Sequence, residues 1–165
     1  MCKKQARCTI ILCTVTSIIT PRGLQGNPGP KGCTISFAAV KKIGSGSYVR
    51  TGQYITYNEL IHNEGSGMHA ASGTFTAPQG GVYFFTISAV SNGSSKDLYI
   101  DVIKNGNKEF DIDDRSEADM TNVSYQWMLR LNQGDSVKLR VAPGSDSLYV
   151  DADDQVHFTG QLVSD

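Results

Sequence analysis

The sequence contains no HExxH pair, no glycine-rich phosphate loop and no CxxC pair. Zinc-peptidase, nucleotide-hydrolase and cysteine-ligated zinc chemistry therefore have no local signature. Gly44-Ser-Gly-Ser47 lacks the Gly-x-Ser-x-Gly pattern and lies in a small-residue loop rather than at a strand-to-helix elbow. His62, His69 and His157 are far apart, and nothing specific groups them with a serine and an acid. The chain reads as a non-enzyme, with no catalytic residue.

Positive charge is also scarce. The 165 residues carry 15 Lys+Arg against 16 Asp+Glu, and three of the 15 (Lys3, Lys4, Arg7) precede residue 20, leaving 12 against 16. A mildly acidic chain without a basic patch excludes nucleic acid as an expected partner. No apolar run reaches the roughly 20 residues that span a bilayer, so membrane insertion is not expected. Helical periodicity is missing as well. With 39% hydrophobic residues, 17 glycines and many short alternating runs, the composition favours an all-β fold. The length suffices for one domain with an N-terminal extension.

That extension has two parts. Lys3, Lys4 and Arg7 precede the uncharged, mostly apolar run Cys8 to Ile19, the layout of a secretory signal peptide over residues 1–20. Val15-x-Ser17 and Ile18-x-Thr20 are alternative cleavage sites, and a retained signal anchor is the alternative reading. Residues 21–32 contain Gly23-Leu-Gln-Gly26-Asn-Pro-Gly29-Pro-Lys-Gly32, a collagen frame with glycine at every third position. Only glycine fits at the axis of three wound chains. Three triplets cannot hold a triple helix alone, so the segment reads as a stiff linker or as a short stalk. Cys2, Cys8 and Cys13 fall in the leader, which leaves Cys33 alone at the start of the 33–165 domain. A single thiol in a secreted chain is either idle or a candidate inter-chain disulfide.

Tyr54 to Val90 organises the domain. Gly73 opens a short strand through Phe75, Ala77-Pro78-Gln79-Gly80-Gly81 turns, and a long strand runs from Val82 to Val90. Its Tyr83, Phe85, Ile87 and Ala89 share one face, while Val82, Phe84 and Val90 share the other, so its start is expected to be buried on both sides. Further strands are expected at 34–41, 54–57, 68–71, 97–104, 107–112, 121–131, 136–141 and around 156–162, with a loop over 43–52. Asn105-Gly106 predicts a two-residue hairpin, because a type I′ turn needs φ > 0 at both central residues. Val123, Tyr125, Trp127, Leu129 and Leu131 give the clearest period of two. About ten strands at this spacing read as a β-sandwich.

Tyr57-Asn58, Asn63, Gly65, Gly73, Phe75, Pro78, Gly81, Tyr83 and Phe85 resemble the motif of the complement C1q globular-head family. Gly134-Asp135-x-Val137-x-Leu139, Leu148-Tyr149 and Phe158-Thr-Gly160-x-Leu162 match its C-terminal block. Tyr57 stands where the family usually has Phe, and Asn58 where Asp is common. The resemblance covers about residues 34–165 and implies a ten-stranded jelly roll of the C1q and tumour-necrosis-factor type, assembled as a homotrimer. It also implies packing of Tyr83, Phe85 and Phe158 against neighbouring chains. From the residues alone these three serve equally well inside one subunit.

Two acidic groups are candidate metal or ligand sites. Asp111, Asp113 and Asp114, with Glu117 and Asp119 nearby, read as an inter-strand loop; Asp151, Asp153 and Asp154 precede the last strand. Calcium prefers several oxygens from a flexible loop. Neither group is an EF-hand, and a charged, solvated loop explains each equally simply. Asn92-Gly-Ser94 and Asn122-Val-Ser124 are N-glycosylation sequons. Two functions are open: a secreted recognition head for microbial carbohydrate or another polar surface ligand, or a secreted signalling or synapse-organising ligand of a host receptor. If Cys33 bridges chains, secreted protein will run as a multiple of the single chain on a non-reducing gel and collapse on reduction. Single-chain bands in both lanes eliminate the bridge.

Overall fold

The computed structural model describes residues 34–93, 97–115 and 120–165. Contacts divide the chain into Met1–Lys31 and Gly32–Asp165. The leader, the glycine-triplet frame and Cys33 lie outside the described residues, as do Glu117 and Asp119.

The second unit is built from twelve described strands and one short 3-10 turn. In chain order these are β1 (Ser36–Lys41), β2 (Ser47–Val49), β3 (Glu59–Glu64), β4 (Met68–His69), β5 (Thr74–Thr76), β6 (Gly81–Ser91), β7 (Leu98–Lys104), β8 (Asn107–Asp114), β9 (Asn122–Leu131), β10 (Ser136–Val141), β11 (Leu148–Val150) and β12 (Val156–Ser164). They form two antiparallel sheets. The first has the order β2-β11-β6-β12-β1-β3, with β9 on the other edge of β6. The second runs β4-β5-β10-β7-β8. The all-β jelly-roll sandwich expected from the sequence is the architecture found.

The long strand β6 is its centre. It pairs with β9 from Gly81↔Leu131 to Val90↔Asn122, and its other edge meets β12 and then β11. Tyr83, Phe85, Ile87 and Ala89 are buried between the sheets, as their shared face requires. The other face departs from expectation: Val82 and Phe84 are only half-buried, because they lie on the outer side of the sandwich.

Aromatic rings fill the space between the sheets. Phe158 meets Phe37 at 5.0 Å, Phe85 at 5.8 Å and Tyr57 at 5.9 Å between centroids. Phe75, from the second sheet, stacks on Phe37 at 5.0 Å and meets Tyr83 edge-on at 5.3 Å. Burying each such ring contributes roughly 1.5–3 kcal/mol, with roughly 0.5–1.5 kcal/mol more for the ring pairing. Gly160, opposite both Phe37 and Phe85 in register, makes the cluster possible, since a Cβ there would collide with both rings.

Several local expectations are corrected. Tyr54 to Tyr57 is not a strand. Tyr54 makes one isolated bridge to Arg140, and the Ile55 and Tyr57 N–H groups reach Leu139 and Ala70 carbonyls instead. The 43–52 stretch, expected as a loop, contains β2, and β3 and β11 are strands that the expected set lacks. The strand at 68–71 stops at His69 and continues as the turn Ala70–Ser72. The Asn105-Gly106 hairpin forms with φ of 50° and 84°, so both residues are in the left-handed region the turn needs.

Two substitutions probe this packing. Gly160→Ala should destabilise by about 1–3 kcal/mol in urea denaturation, the usual cost of overpacking. Tyr57 is 4% exposed, and its hydroxyl has no hydrogen-bond partner among the described residues. Burial pushes its pKa well above the ordinary value. Removing an unsatisfied buried hydroxyl relieves its desolvation penalty. Tyr57→Phe should therefore leave stability unchanged or raise it by about 1 kcal/mol; a clear loss would mean that the hydroxyl has a partner.

Candidate binding surfaces

Alternation along the strands gives each sheet an outer side, and the two sides differ in chemistry. On the first sheet, β1 presents Ser36 and Ala38; β6 presents Val82, Phe84, Thr86 and Ser88; and β12 presents His157, Thr159 and Gln161, while Val40 and Val90 are covered. None of these is Lys, Arg, Asp or Glu. Ser36 Oγ and His62 Nε2 lie 2.7 Å apart, and the Thr86 and Thr159 hydroxyls are hydrogen-bonded across β6 and β12. A shallow depression of about 320 Å³ is lined by Ser36, His62, Phe84, Thr159 and Gln161, among others. Met128, at 60% exposure, extends this side onto β9.

The second sheet carries charge on its outer side. Asp101 of β7 is 2% exposed, and its carboxylate is held by Arg140 of β10 at 2.7 Å and Lys108 of β8 at 2.9 Å. Lys108 also reaches Asp111 at 3.2 Å. Burial raises the Asp101 pKa, but hydrogen bonds and charge from Lys108 and Arg140 outweigh it and leave the carboxyl below its ordinary value. Arg140 and Lys138 further flank the Tyr54 ring, at 5.9 and 5.3 Å from its centroid. This network locks the sheet together.

The acidic groups do not converge. Asp111, Asp113 and Asp114 belong to strand β8, not to a loop. Asp111 and Asp113 therefore point to one side and Asp114 to the other. Asp111 pairs with Lys108 and Asp113 with Arg115, while Asp114 accepts a hydrogen bond from the Thr121 hydroxyl. Asp151 caps its own turn: its carboxylate accepts the N–H groups of Asp153 and Asp154 at 2.8 and 2.6 Å and the Tyr149 hydroxyl at 3.1 Å. The Asp154 and Asp153 N–H bonds, foremost, hold its pKa below the ordinary value. Among the described residues no three His, Cys, Asp or Glu side chains are placed to hold a metal ion. The residues as placed do not fit calcium, and no step below runs through it.

Of the family-motif positions, Tyr57, Phe75, Gly81, Tyr83, Phe85, Phe158 and Gly160 are all buried within the subunit. Tyr83, Phe85 and Phe158 are 0% exposed, so their ring contacts are internal. Asn122 is exposed at the start of β9, and Asn92 is half-buried just after β6, its N–H donating to the Ser147 carbonyl. A second depression of about 250 Å³, lined by Tyr48, Arg50, Thr51, Asn92 and Ser147, was not anticipated. Its signal in the sequence is the alternation Tyr48-Val49-Arg50, hidden among small residues.

Two outcomes follow. Titration with millimolar calcium should give no binding heat, and a saturable heat lost in Asp151→Asn would contradict the self-capped turn. Asp101→Asn should cost about 1–3 kcal/mol at neutral pH, because two cations lose a charged acceptor. The carboxylate's lowered pKa places its contribution above the ordinary value of 3.8, and it fades as pH falls through the lower folded value. The stabilities of wild type and Asp101→Asn should therefore converge in strong acid.

Comparison with known proteins places this arrangement. The family model of the C1q domain matches residues 36–163. Human complement C1q and tumor necrosis factor-related protein 9A is 32% identical over 111 residues, which are 66% of this chain and 33% of the relative. Mouse complement C1q tumor necrosis factor-related protein 3 is 30% identical over 112 residues, covering 66% of this chain and 44% of the relative. The chain thus matches between a third and a half of the length of these relatives. In structure, the globular domain of zebrafish complement 1qA superimposes with a TM-score of 0.64 at 20% identity, covering 78% of this chain and 97% of that one. Eiger TNF from S. frugiperda reaches a TM-score of 0.60 at 12% identity, covering 81% and 96%. These two likenesses concern the fold. With its family motif, its jelly roll and a match along nearly the whole described unit, the chain belongs to the C1q domain family.

Proposed function

We propose that the protein is a secreted, non-enzymatic recognition molecule: a homotrimeric C1q-type head that binds microbial carbohydrate or other polar surface ligands through its loops. The observation that carries the proposal is the outer side of the first sheet. The outward residues of three adjacent strands, Ser36 and Ala38 of β1, Phe84 and Thr86 of β6 and Thr159 and Gln161 of β12, carry no formal charge and offer identical chains a surface without like-charge repulsion. Depletion of charge at the centre of a contact is the compositional mark of protein interfaces. The glycine-triplet frame ahead of the domain supports three chains, since that period has a physical role only around a three-chain axis.

Trimerisation serves recognition through avidity. Three weak sites on one rigid body bind a repetitive surface with an effective concentration that no single site reaches. The leader-like residues 1–20 support secretion, and among the described residues no helix is long and apolar enough to cross a membrane. The sequon asparagines Asn92 and Asn122 are both at least partly accessible, and an N-glycan at exposed Asn122 is part of this proposal.

Secreted protein is expected to bind intact bacteria or their purified polysaccharide, and free sugars should compete. Saturable nanomolar binding to host cells, with no retention on bacteria or polysaccharide, would replace this reading with that of a host-receptor ligand.

A further inference from the structure

We propose that the depression at the β2–β11 end of the first sheet binds a sugar bearing a carboxylate or sulfate group, with Arg50 holding the anion and Tyr48 packing against the ring. The inference rests on the recognition function proposed above and names its ligand class and site.

The first element is an oriented aromatic platform. Tyr48 and Tyr149 are directly opposite in the β2–β11 pair, on the outer side of the sheet, because Val49, Leu148 and Val150 point into the core. Their rings lie 5.5 Å apart, and the Tyr149 hydroxyl donates to Asp151, itself fixed by two backbone N–H groups. Tyr48 is thus supported from one side and remains 47% exposed on the other. An amphipathic ring held this way gives up little conformational entropy when a ligand packs on it.

The second element is a cation without a counter-charge. Lys42, Lys104, Lys108, Arg115 and Arg140 each pair with a carboxylate. Arg50, like Lys41, Arg130 and Lys138, has no ion-pair partner among the described residues, but of these it alone lines the depression, with its backbone fixed: its N–H donates to the Gln53 side chain at 2.9 Å, and its carbonyl accepts the Gln53 N–H at 3.0 Å. A guanidinium presents a planar fork matched to carboxylate or sulfate oxygens, and such charge-assisted pairs are the strong ones.

The third element is the polar wall. Thr51, Asn92 and Ser147 complete the lining with hydroxyl and amide groups. Thr51 is immobilised, donating to the Ala142 carbonyl and accepting the Gly144 N–H. Few apolar groups and one free cation suit an acidic sugar better than a lipid or an uncharged drug-like ligand. Because Asn92 is on the rim, a glycan attached there would compete for the same space.

The test uses secreted full-length chain carrying Ser94→Ala, which removes the sequon and leaves Asn92 in place. Glucuronic acid and galactose 6-sulfate are titrated against galactose by ligand-observed NMR. At least one acidic sugar should bind about tenfold tighter than galactose, and Arg50→Ala should remove that preference, the usual effect of losing one charge-assisted bond. Tyr48→Ala should weaken all saccharides, and Lys138→Ala on the opposite sheet should change nothing. Equal affinity for galactose, or full acidic-sugar binding in Arg50→Ala, overturns the site, as does equal binding of a polyglutamate peptide. If Arg50→Ala binds bacterial polysaccharide as well as wild type, this site falls while the recognition function stands. If wild type binds no saccharide at all, both fall.

Discussion

The contact of Gly160 with Phe37 and Phe85 sets the geometry of the whole domain. A strand at the middle of a sheet gives up its side chain there, and the rings of Phe37, Phe75, Phe85 and Phe158 close over the gap. Those rings come from both sheets, so the same cluster fixes the sheet spacing and the register of β1, β6 and β12. Register in turn decides which residues point outward, since a slip of one residue would exchange the two faces. The uncharged centre of the first sheet's outer side, on β1, β6 and β12, therefore follows from how its inner side is packed, while Glu59, Glu64 and Arg130 flank it on β3 and β9.

The two outer sides then divide the work. On the second sheet, Asp101 is buried and compensated by Arg140 and Lys108, an arrangement that pins three strands together and leaves little net charge to offer a partner. Edge strand β8 carries Lys108, Glu109, Asp111 and Asp113, which protects it from pairing with another sheet. On the first sheet, the outward residues of the interior strands β1, β6 and β12 carry no formal charge, and this is the side suited to meeting its own copies. Its far end, where Tyr48 of β2 and Arg50 just after it lie beside β11, is polar and concave. The proposed assembly surface and the proposed ligand site thus occupy separate parts of one sheet.

Much of this was legible in the sequence where a strand has one clear core face. Val123, Trp127 and Leu131 announce β9, and Leu98, Ile100 and Val102 announce β7. Asn105-Gly106 fixes its turn by dihedral preference alone. The unread parts are those where tertiary contacts override alternation. Tyr54 to Tyr57 has the composition of a strand, yet its N–H groups are taken by Leu139 and Ala70. Strand β3 reads Glu-Leu-Ile-His-Asn-Glu with no buried face, and a register shift at Ala38/Ala39 is needed to pair it. Asp111, Asp113 and Asp114 look like a loop because charge is read as solvation, whereas the edge of a sheet tolerates the same residues. Arg50 could not be singled out by sequence, because what distinguishes it from the other unpaired cations is its place beside Tyr48 in a depression.

The claim on which the rest depends is that identical chains meet on the uncharged outward residues of β1, β6 and β12. The direct test is the mass in solution of the secreted, deglycosylated protein by light scattering, beside a variant with Thr86→Glu on that side. The account predicts a mass of three chains for wild type and of one folded chain for the variant. A wild-type protein that stays monomeric, or a Thr86→Glu protein that remains a trimer, would contradict it.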